Sequence, residues 1–467
     1  MAADRRDSPD KPPATRSLVA NVNIVMLTYA ADGVLALATA ALVARALGPE
    51  GRGAYALFIV SAAFGQLVLG LGIGNAAIYY LNKGQLTVRE ALAATHVVTL
   101  AALGVTSIVV AAIAPAFGDE AFGSRLSPWL LMVVVPLLLY MNLLRLLLQA
   151  LNRFIDLGVT TVGQQAVLLA LVAVAFAAGD PSATQIVAYL LIASGGAAAY
   201  ALLRVGLREI DLGAVARPQI STLRRLAGFG VQGEAGNVLQ ALNYRLDQYI
   251  LRGFESLAAV GFYAVAASMT ESVFILANAV ALVLMPRLTA ADPEDAAWMA
   301  PIAARNTMLI AAAGAAALAA LAPVLLPAVF GADFDDSVQP LWWLLPGTVA
   351  LAGSKVLTSY IFSQGRPIVN TIITAVALAV TLAADIALIP AFGANGAAAA
   401  SSIAYGVHFC AALFAYSRIS GRPALDAVLP RPGDAQFYAD AFRSLRARVS
   451  GRAAPDAGFR GIGPPAR

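Results

Sequence analysis

The sequence predicts an all-α integral membrane protein with about 12 transmembrane helices, arranged as two parallel six-helix repeats. Three observations predict this fold class: the composition, the distribution of positive charge, and a set of landmarks that recurs half-way along the chain. Of the 467 residues, 60% are apolar and 12% are charged, and the mean hydropathy is +0.75. Soluble domains carry about 25% charged residues. The composition therefore excludes a cytosolic enzyme, a disordered regulator and a secreted module.

The chain begins with a short basic tail, residues 1–17, which we expect to be cytoplasmic. Arg5, Arg6, Lys11 and Arg16 precede the first apolar stretch, as in the charged region of a signal peptide. That stretch is too long for a signal peptide and has no clear small-residue cleavage site. We therefore predict that it is retained as the first membrane span.

Twelve apolar stretches are long enough to cross a bilayer as helices, which takes about 20 residues each. They are residues 18–44, 54–82, 91–114, 128–150, 155–178, 184–206, 226–251, 257–286, 303–330, 338–363, 367–390 and 395–418. The first six spans form a predicted N-lobe, residues 18–206. The last six form a predicted C-lobe, residues 226–418. A cytoplasmic linker, residues 207–225, joins the two lobes.

Lysine and arginine alternate between the two sides of this map. With the N-terminus inside, 24 of the 31 Lys and Arg residues fall in cytoplasmic segments or at the cytoplasmic ends of spans, four fall in outward loops and three fall deeper within spans. The positive-inside rule explains such an asymmetry. We therefore expect both termini in the cytoplasm and the protein in the inner (cytoplasmic) membrane. All outward loops are short, which leaves no room for an external catalytic domain.

The chain ends with a tail, residues 419–467, that is rich in Pro, Gly, Ala and Arg and is expected to be mostly disordered. One amphipathic stretch has apolar residues near helical spacing, flanked by arginines. It contains Phe437, Tyr438, Ala441, Leu445 and Val449. A helix of this kind can lie on anionic lipid. A solvated basic tail is the equally favoured alternative.

Three landmarks recur in the same order in both halves. Arg45 and residues 53–56 (Gly-Ala-Tyr-Ala) match Arg252 and residues 261–264 (Gly-Phe-Tyr-Ala), at offsets of 207 and 208. The other two pairs are residues 115–118 with 327–331 and residues 149–153 with 364–366. Each half holds an even number of spans, so both halves enter the membrane from the same side, as in parallel-repeat transporters. Two such bundles can rock about a central cleft to give alternating access.

The segment from Ala44 to Tyr55, Ala-Arg-Ala-Leu-Gly-Pro-Glu-Gly-Arg-Gly-Ala-Tyr, resembles the signature after the first helix of bacterial polysaccharide-export flippases. Later segments look like further landmarks of that family: residues 244–248, 260–263, 285–288 and 392–397. The resemblance covers nearly all of residues 18–418. These flippases share a superfamily with lipid II flippases and multidrug and toxin extrusion transporters. Twelve spans fit the polysaccharide branch better than the lipid II branch, which typically has fourteen.

The resemblance implies a V-shaped, two-lobed flippase for lipid-linked oligosaccharides of the O-antigen type. Such a protein moves a polyprenyl-diphosphate-linked oligosaccharide from the inner to the outer leaflet for cell-surface polysaccharide and lipopolysaccharide biosynthesis. The implied partners are this substrate, membrane lipids, a polysaccharide polymerase and glycosyltransferases. We expect no nucleic-acid partner, because the net charge of +4 is too small.

Charged residues within spans are functional candidates, because a charge at the bilayer centre costs about 2.5–3.5 kcal/mol on insertion scales. Three are cations: Arg145, Arg245 and Lys355. Guanidinium and ammonium groups bind phosphate oxygens, so we predict that these cations contact a diphosphate. Three more cations could act at the outer mouth: Arg45, Arg52 and Arg252. The alternatives are pairing within the protein and, for Arg145, snorkelling to the interface.

The acidic candidates could couple transport to H⁺ or Na⁺. They are Asp32, Glu234, Asp247, Glu271 and Asp385. They could equally be counter-charges for Arg245 or Lys355. The membrane potential offers a third driving force, about 2.3 kcal/mol per charge per 100 mV, so an outward flip could proceed without a tightly coupled ion. Polar residues at helical spacing in spans 1, 4, 7, 8 and 11 favour a shared water-filled cavity.

The sequence favours transport over catalysis. A single cysteine, Cys410, and two histidines, His96 and His408, leave little for metal or acid–base chemistry, so we expect no metal, cofactor or catalytic residue. A multidrug or organic-cation antiporter of the same fold is the first alternative, although such a protein needs an acidic or aromatic cavity. A membrane glycosyltransferase or polymerase is the second alternative, and its acids would come from Asp333, Asp335 and Asp336.

Overall fold

The computed structural model describes residues 14–429 except for residues 180, 212, 214 and 216–218. The amphipathic stretch predicted at residues 437–449 lies outside the described residues, as do residues 1–13. The helices, in chain order, are α1 Ala14–Gly70, α2 Ile73–Asn82, α3 Val88–Phe122, α4 Leu131–Ala150, α5 Phe154–Ala178, α6 Ala183–Val205, α7 Ile220–Phe254, α8 Leu257–Ala290, α9 Pro293–Phe330, α10 Val338–Ser363 and α11 Pro367–Ser420. The described residues contain no strand, so the all-α prediction is confirmed.

Helices α1 and α11 each contain two of the predicted spans. At 1.5 Å per residue, a straight helix of 57 residues would be about 85 Å long, far more than a bilayer needs. α1 is broken at Gly48, whose φ of 64° is accessible to glycine, and Pro49 follows without a backbone donor. α11 is broken in the same way at Gly393, where φ is 55°. Each break separates two segments of membrane-spanning length.

The prediction of an unbroken second span is wrong. The helix stops at Gly70, Leu71 and Gly72 adopt φ values of 49° and 64°, and α2 begins at Ile73. The cause is a close approach from α7: a Cβ on Gly72 would lie 2.3 Å from the carbonyl oxygen of Gly230. Only a glycine in this backbone conformation leaves room for that contact.

Seven helices of the described residues are long and apolar enough to cross a membrane. Two of the seven are α1 and α11, which hold four predicted spans between them. Helices α7 and α10 are not among the seven, and α8 counts as a shorter apolar helix over Leu257–Val273. The charged residues of α7 and α10 include Arg245 and Lys355.

The two repeats share an apolar core and also have cores of their own. In the shared core, Phe58 of the first repeat is buried in the same cluster as Val260 and Phe330 of the second. A second cluster lies among α2, α3, α4 and α6, and a third lies among α8, α9, α10 and α11. Helices in lipid associate by close packing rather than by the hydrophobic effect. The shared core therefore fixes how the repeats face each other.

The repeats meet at two glycine contacts. In the first, a Cβ on Gly53 would lie 1.9 Å from the carbonyl oxygen of Leu257, and a Cβ on Gly261 would lie 2.0 Å from that of Pro49. In the second, Gly72 meets Gly230. Next to this second contact, the rings of Tyr79 and Phe229 stack with centroids 4.6 Å apart. The candidate site lies between the repeats, close to the first contact.

Candidate functional site

An ion pair between α7 and α8 forms the centre of the candidate site. Arg245 Nη2 donates to Glu271 Oε1, and the two side chains are 36% and 50% exposed. Both residues were candidates from the sequence, where Glu271 was either an ion-coupling group or a counter-charge. The structure brings them together, and their exposure leaves the pair open to a solute.

Arg52 lies in the interface between the repeats. It is 8% exposed, its Nη2 donates to Ser268 Oγ at 3.5 Å, and its guanidinium lies 6.0 Å from the centroid of the Tyr55 ring. The sequence placed Arg52 in an outward loop, but the second segment of α1 begins before it. Its Nε is buried without a hydrogen-bond partner among the described residues. Arg52 therefore has hydrogen-bonding capacity that the protein leaves unused.

Lys355 approaches the same site from α10. Its Nζ lies 5.9 Å from the centroid of the Tyr244 ring, close enough for a cation–π interaction. Tyr244 precedes Arg245 on α7 and accepts a hydrogen bond from Gln240 Nε2 at 2.9 Å. Lys355 also interacts electrostatically with Glu271. We call Arg52, Arg245, Lys355 and Glu271 the cation cluster.

The cation cluster carries more positive than negative charge. Glu271 attracts Arg52, Arg245 and Lys355, whereas Arg52 and Arg245 repel each other. The cations come from both repeats. The cluster itself holds three cations and one carboxylate, and the buried Asp247 also attracts Arg245, so the cations outnumber the nearby carboxylates by one and the cluster is suited to an anion. Guanidinium groups favour anions with paired oxygens, such as phosphate.

Arg145 and Asp32 lie together in the first repeat. Arg145 Nη2 donates to the carbonyl oxygen of Thr160 and to Gln164 Oε1, both at 2.7 Å. Gln164 Nε2 in turn donates to Ser194 Oγ at 2.9 Å. Asp32 attracts Arg145 electrostatically. The contacts of Arg145 favour the alternative of pairing within the protein.

Arg45 joins the repeats at the end of α9. Its Nε donates to the carbonyl oxygen of Val329 at 2.9 Å, and its Nη2 donates to that of Ala328. A cation at a helix C-terminus also stabilises the helix dipole. Its counterpart in the duplication, Arg252, donates to the carbonyl oxygen of Glu255 at 3.2 Å, within its own repeat. Both arginines therefore donate to backbone carbonyl oxygens.

Asp247 is bonded within the second repeat and also attracts Arg245 of the cation cluster. It is fully buried and accepts hydrogen bonds from Tyr263 Oη, from Ser401 Oγ at 3.0 Å and from the backbone N–H of Gln248 at 2.7 Å. Three donors satisfy a buried carboxylate well. Asp247 is thus a fixed internal anion.

Asp385 on α11 is buried without such partners. It is fully buried, and neither carboxylate oxygen has a hydrogen-bond partner among the described residues. Asp247 is close enough to interact with it electrostatically. One turn before Asp385, Thr381 donates to Asn243 Oδ1 of α7 at 2.6 Å. Two carboxylates therefore lie near each other where α7 and α11 pack.

Glu234 lies apart from these groups. It accepts a hydrogen bond from Asn237 on the same helix at 3.2 Å.

Two serines that contact candidate residues were not predicted from the sequence: Ser268, which contacts Arg52, and Ser401, which contacts Asp247. Ser268 lies three residues before Glu271, so helical spacing could have identified it. Ser401 lies in an Ala-rich and Ser-rich stretch that gives no such signal.

The comparisons with known proteins agree with a membrane transporter. A family described as polysaccharide biosynthesis protein matches residues 18–291, more than half of the chain. No curated protein sequence matches the chain significantly.

Solved structures match over nearly the whole chain. The lipid II flippase MurJ in an inward closed conformation matches with a TM-score of 0.70 and 14% identity, over 93% of this chain and 94% of that chain. An inward-facing multidrug resistance MATE family transporter of the MOP superfamily has a TM-score of 0.64 and 15% identity, over 84% and 95%. An outward-facing one has the same TM-score and 16% identity, over 88% and 97%. At such identities, the likeness establishes the fold.

Proposed function

The chain belongs to the polysaccharide biosynthesis protein family, and from that premise we propose that it flips a polyprenyl-diphosphate-linked oligosaccharide from the inner to the outer leaflet of the cytoplasmic membrane. The family and fold are those of a multi-pass membrane flippase of the MOP superfamily. The substrate, its direction and the residues that bind it are our proposal.

The cation cluster is the observation that carries the proposal. The diphosphate that joins the sugar to the lipid carries two negative charges, and the cations Arg52, Arg245 and Lys355 outnumber the nearby carboxylates of Glu271 and Asp247. Arg52 comes from the first repeat and the other two from the second. Movement of the repeats would therefore change the distances among the cations, and hence their grip on a phosphate.

The direction of transport follows from charge. The positive-inside count supports a cytoplasmic position for residues 83–89 and an outward position for residues 45–53. A diphosphate that leaves a negative cytoplasm gains about 2.3 kcal/mol per charge per 100 mV. On this assignment the Gly53–Gly261 contact closes the outer side, and the diphosphate enters from the inner leaflet.

We propose that the polyprenyl chain stays in lipid while the headgroup crosses. A chain of that length cannot fit a closed cavity, so the repeats must open sideways. The first segment of α1 and the helix α8 belong to different repeats and are candidates for that opening. A cross-link between them should abolish flipping, and undiminished flipping would contradict a lateral opening there.

Asp385 is our candidate for ion coupling. An ionised carboxylate buried without a partner is very costly, so Asp385 requires a proton or a cation when the site is closed. The fixed charge of Asp247 nearby increases that requirement. Loss of the proton or the cation would destabilise the packing of α7 on α11, and α7 also carries Arg245. Coupling would thus run along one helix.

An organic-cation antiporter of the same fold is the alternative. It is supported by the fold of the MATE transporters. An excess of positive charge in the candidate site opposes it, because the site would repel a cationic drug.

For the proposed flippase, we expect the polymerase and glycosyltransferases of the same pathway as partners.

The test is the lipid content of cells that lack this chain. We expect a polyprenyl-diphosphate sugar, identified by mass, to accumulate on the cytoplasmic side. Native protein should clear it, and Arg245→Gln should not. Arg208→Gln is the matched control, since Arg208 is exposed and lies between α6 and α7. If no sugar-lipid accumulates while the pathway enzymes are active, the flippase proposal is wrong.

A further inference from the structure

We propose that Glu271 is an internal competitor for the phosphate-binding cations: its carboxylate holds Arg245 until a multiply charged anionic headgroup displaces it. The inference rests on the proposed function and deepens it, since it names what controls occupancy of the cation cluster. It follows from the accessibility of the ion pair, the charge balance of the cluster and the tethering of Glu271 to α8.

The Arg245–Glu271 pair is built to be exchanged. Both side chains are about one-third to one-half exposed, and Arg245 is the partner of the Glu271 carboxylate among the described residues. The pair between Arg204 and Asp156 is different, because that aspartate side chain is only 9% exposed and also accepts a hydrogen bond from Tyr200 at 2.9 Å. An exposed pair joined by one hydrogen bond is weak, so a solute can replace the carboxylate at Arg245.

The charge balance indicates which solute can do so. A singly charged anion would replace the single negative charge of Glu271 with another, so the exchange would lower the free energy of the cluster very little. An anion with two or more charges can also offset the repulsion between Arg52 and Arg245. Glu271 therefore favours multiply charged anions over monovalent ones at the cluster.

Tethering gives Glu271 a second role at the end of transport. A carboxylate on the adjacent helix acts at an effective concentration in the millimolar range, as short tethers do. It re-forms its pair with Arg245 as soon as the phosphate starts to leave. The substrate is thus released into the outer leaflet instead of remaining bound, because a closed ion pair replaces it.

The experiment uses full-length protein in lipid nanodiscs and inorganic pyrophosphate as the probe, with affinity measured by calorimetry. We expect Glu271→Gln to bind pyrophosphate up to about fivefold more tightly than native protein, as the loss of a partly exposed competing ion pair allows. Arg245→Gln should bind it more weakly. Glu294→Gln is the matched control, since Glu294 is exposed near the start of α9, and it should bind like native protein.

Chloride gives a second readout that a purely structural role would not affect. When gluconate is replaced by chloride at constant ionic strength, pyrophosphate affinity should fall more in Glu271→Gln than in native protein, because chloride can then enter the cluster. Thermal unfolding verifies the fold. If Glu271→Gln does not fold, Glu271→Asp replaces it, since the shorter side chain withdraws the carboxylate from Arg245, and a smaller gain in affinity is expected.

Two results would overturn the inference, and they are distinguishable. If pyrophosphate binds native protein and loses affinity in Arg245→Gln, but binds no more tightly when Glu271 is changed, Glu271 is not a competitor and the phosphate site stands. If pyrophosphate binds neither native protein nor Glu271→Gln, the cation cluster is not a phosphate site, and the proposed function fails with it.

Discussion

Gly53 and Gly261 stand at equivalent positions of the two repeats and pack backbone against backbone. A Cβ on Gly53 would lie 3.0 Å from the backbone nitrogen of Gly261, and a Cβ on Gly261 would lie 3.2 Å from that of Gly53. The internal duplication thus brings a residue into contact with its own counterpart. The approach between the repeats depends on the absence of a side chain on both.

Gly53→Ala should separate the repeats at this contact. The added Cβ would meet the carbonyl oxygen of Leu257 at 1.9 Å, and backbone atoms cannot yield as a flexible side chain can. Overpacking of this kind costs about 1–3 kcal/mol. We expect a lower unfolding temperature in detergent and reduced clearance of the trapped sugar-lipid in cells. Gly261→Ala should behave in the same way.

Gly104→Ala is the control for both glycine variants. Gly104 lies within α3, and a Cβ there would meet nothing within 4 Å, so alanine should be neutral or slightly stabilising in a helix. If Gly53→Ala unfolds and transports like Gly104→Ala, the two glycines do not hold the repeats together.

Arg45→Gln should loosen the link between the repeats at the end of α9. The change removes the charge that caps the carbonyl groups of Ala328 and Val329, an interaction worth about 0.3–1 kcal/mol at an exposed position. We expect the variant to unfold at a slightly lower temperature than native protein. This difference should become smaller at high salt, because salt screens the same interaction in native protein. A salt-independent difference would argue against the capping role.

Asp247 and Asp385 should respond to neutral substitution in opposite ways. Asp247→Ala removes the acceptor that Tyr263 and Ser401 share, and since these two hydroxyl groups lie 3.1 Å apart and can bond to each other, we expect a cost of about 1–3 kcal/mol for the one donor left unsatisfied. Asp385→Asn removes the need for a bound proton or cation at a carboxylate that has no hydrogen-bond partner among the described residues, so the unfolding temperature should hold or rise. Any dependence of transport on a proton or sodium gradient should disappear in Asp385→Asn. Equal destabilisation by both variants would contradict the distinction.

Arg145→Lys should affect stability more than substrate binding. A lysine cannot donate in the planar geometry by which one guanidinium nitrogen reaches both Thr160 and Gln164. We expect a lower unfolding temperature with pyrophosphate affinity close to native. A large loss of affinity at native stability would instead place Arg145 in the phosphate site.

Sequence patterns predicted the helices and the duplication but not the contacts between distant helices. The apolar lengths marked both segments of α1, because span length depends on local composition. The break at Gly72 was missed because its cause is Gly230, which is 158 residues away in the chain. The recurrence of Gly53 and Gly261 was visible in the sequence, whereas their meeting across the interface was not.

The candidate site shows the same limit. The positions of charges within predicted spans identified Arg245, Glu271 and Lys355 as candidates, because a charge in the membrane is energetically costly and usually functional. Sequence also offered Arg145 as a phosphate contact, and only its bonds to Thr160 and Gln164 separate it from the cluster. Arg52 lay in a predicted outward loop, and no feature of the neighbouring sequence indicated that it would donate a hydrogen bond to Ser268 of the other repeat.

The break at Gly48 couples the two segments of α1, so that they do not move as independent helices. A single residue interrupts the helical geometry between the two segments of α1, so there is no slack loop to absorb a change in tilt. If the first segment of α1 tilts to admit a lipid chain, the second segment, which carries Arg52 and Gly53, must move with it. The joint could thus transmit a motion at the lipid-facing side directly to the grip on the headgroup.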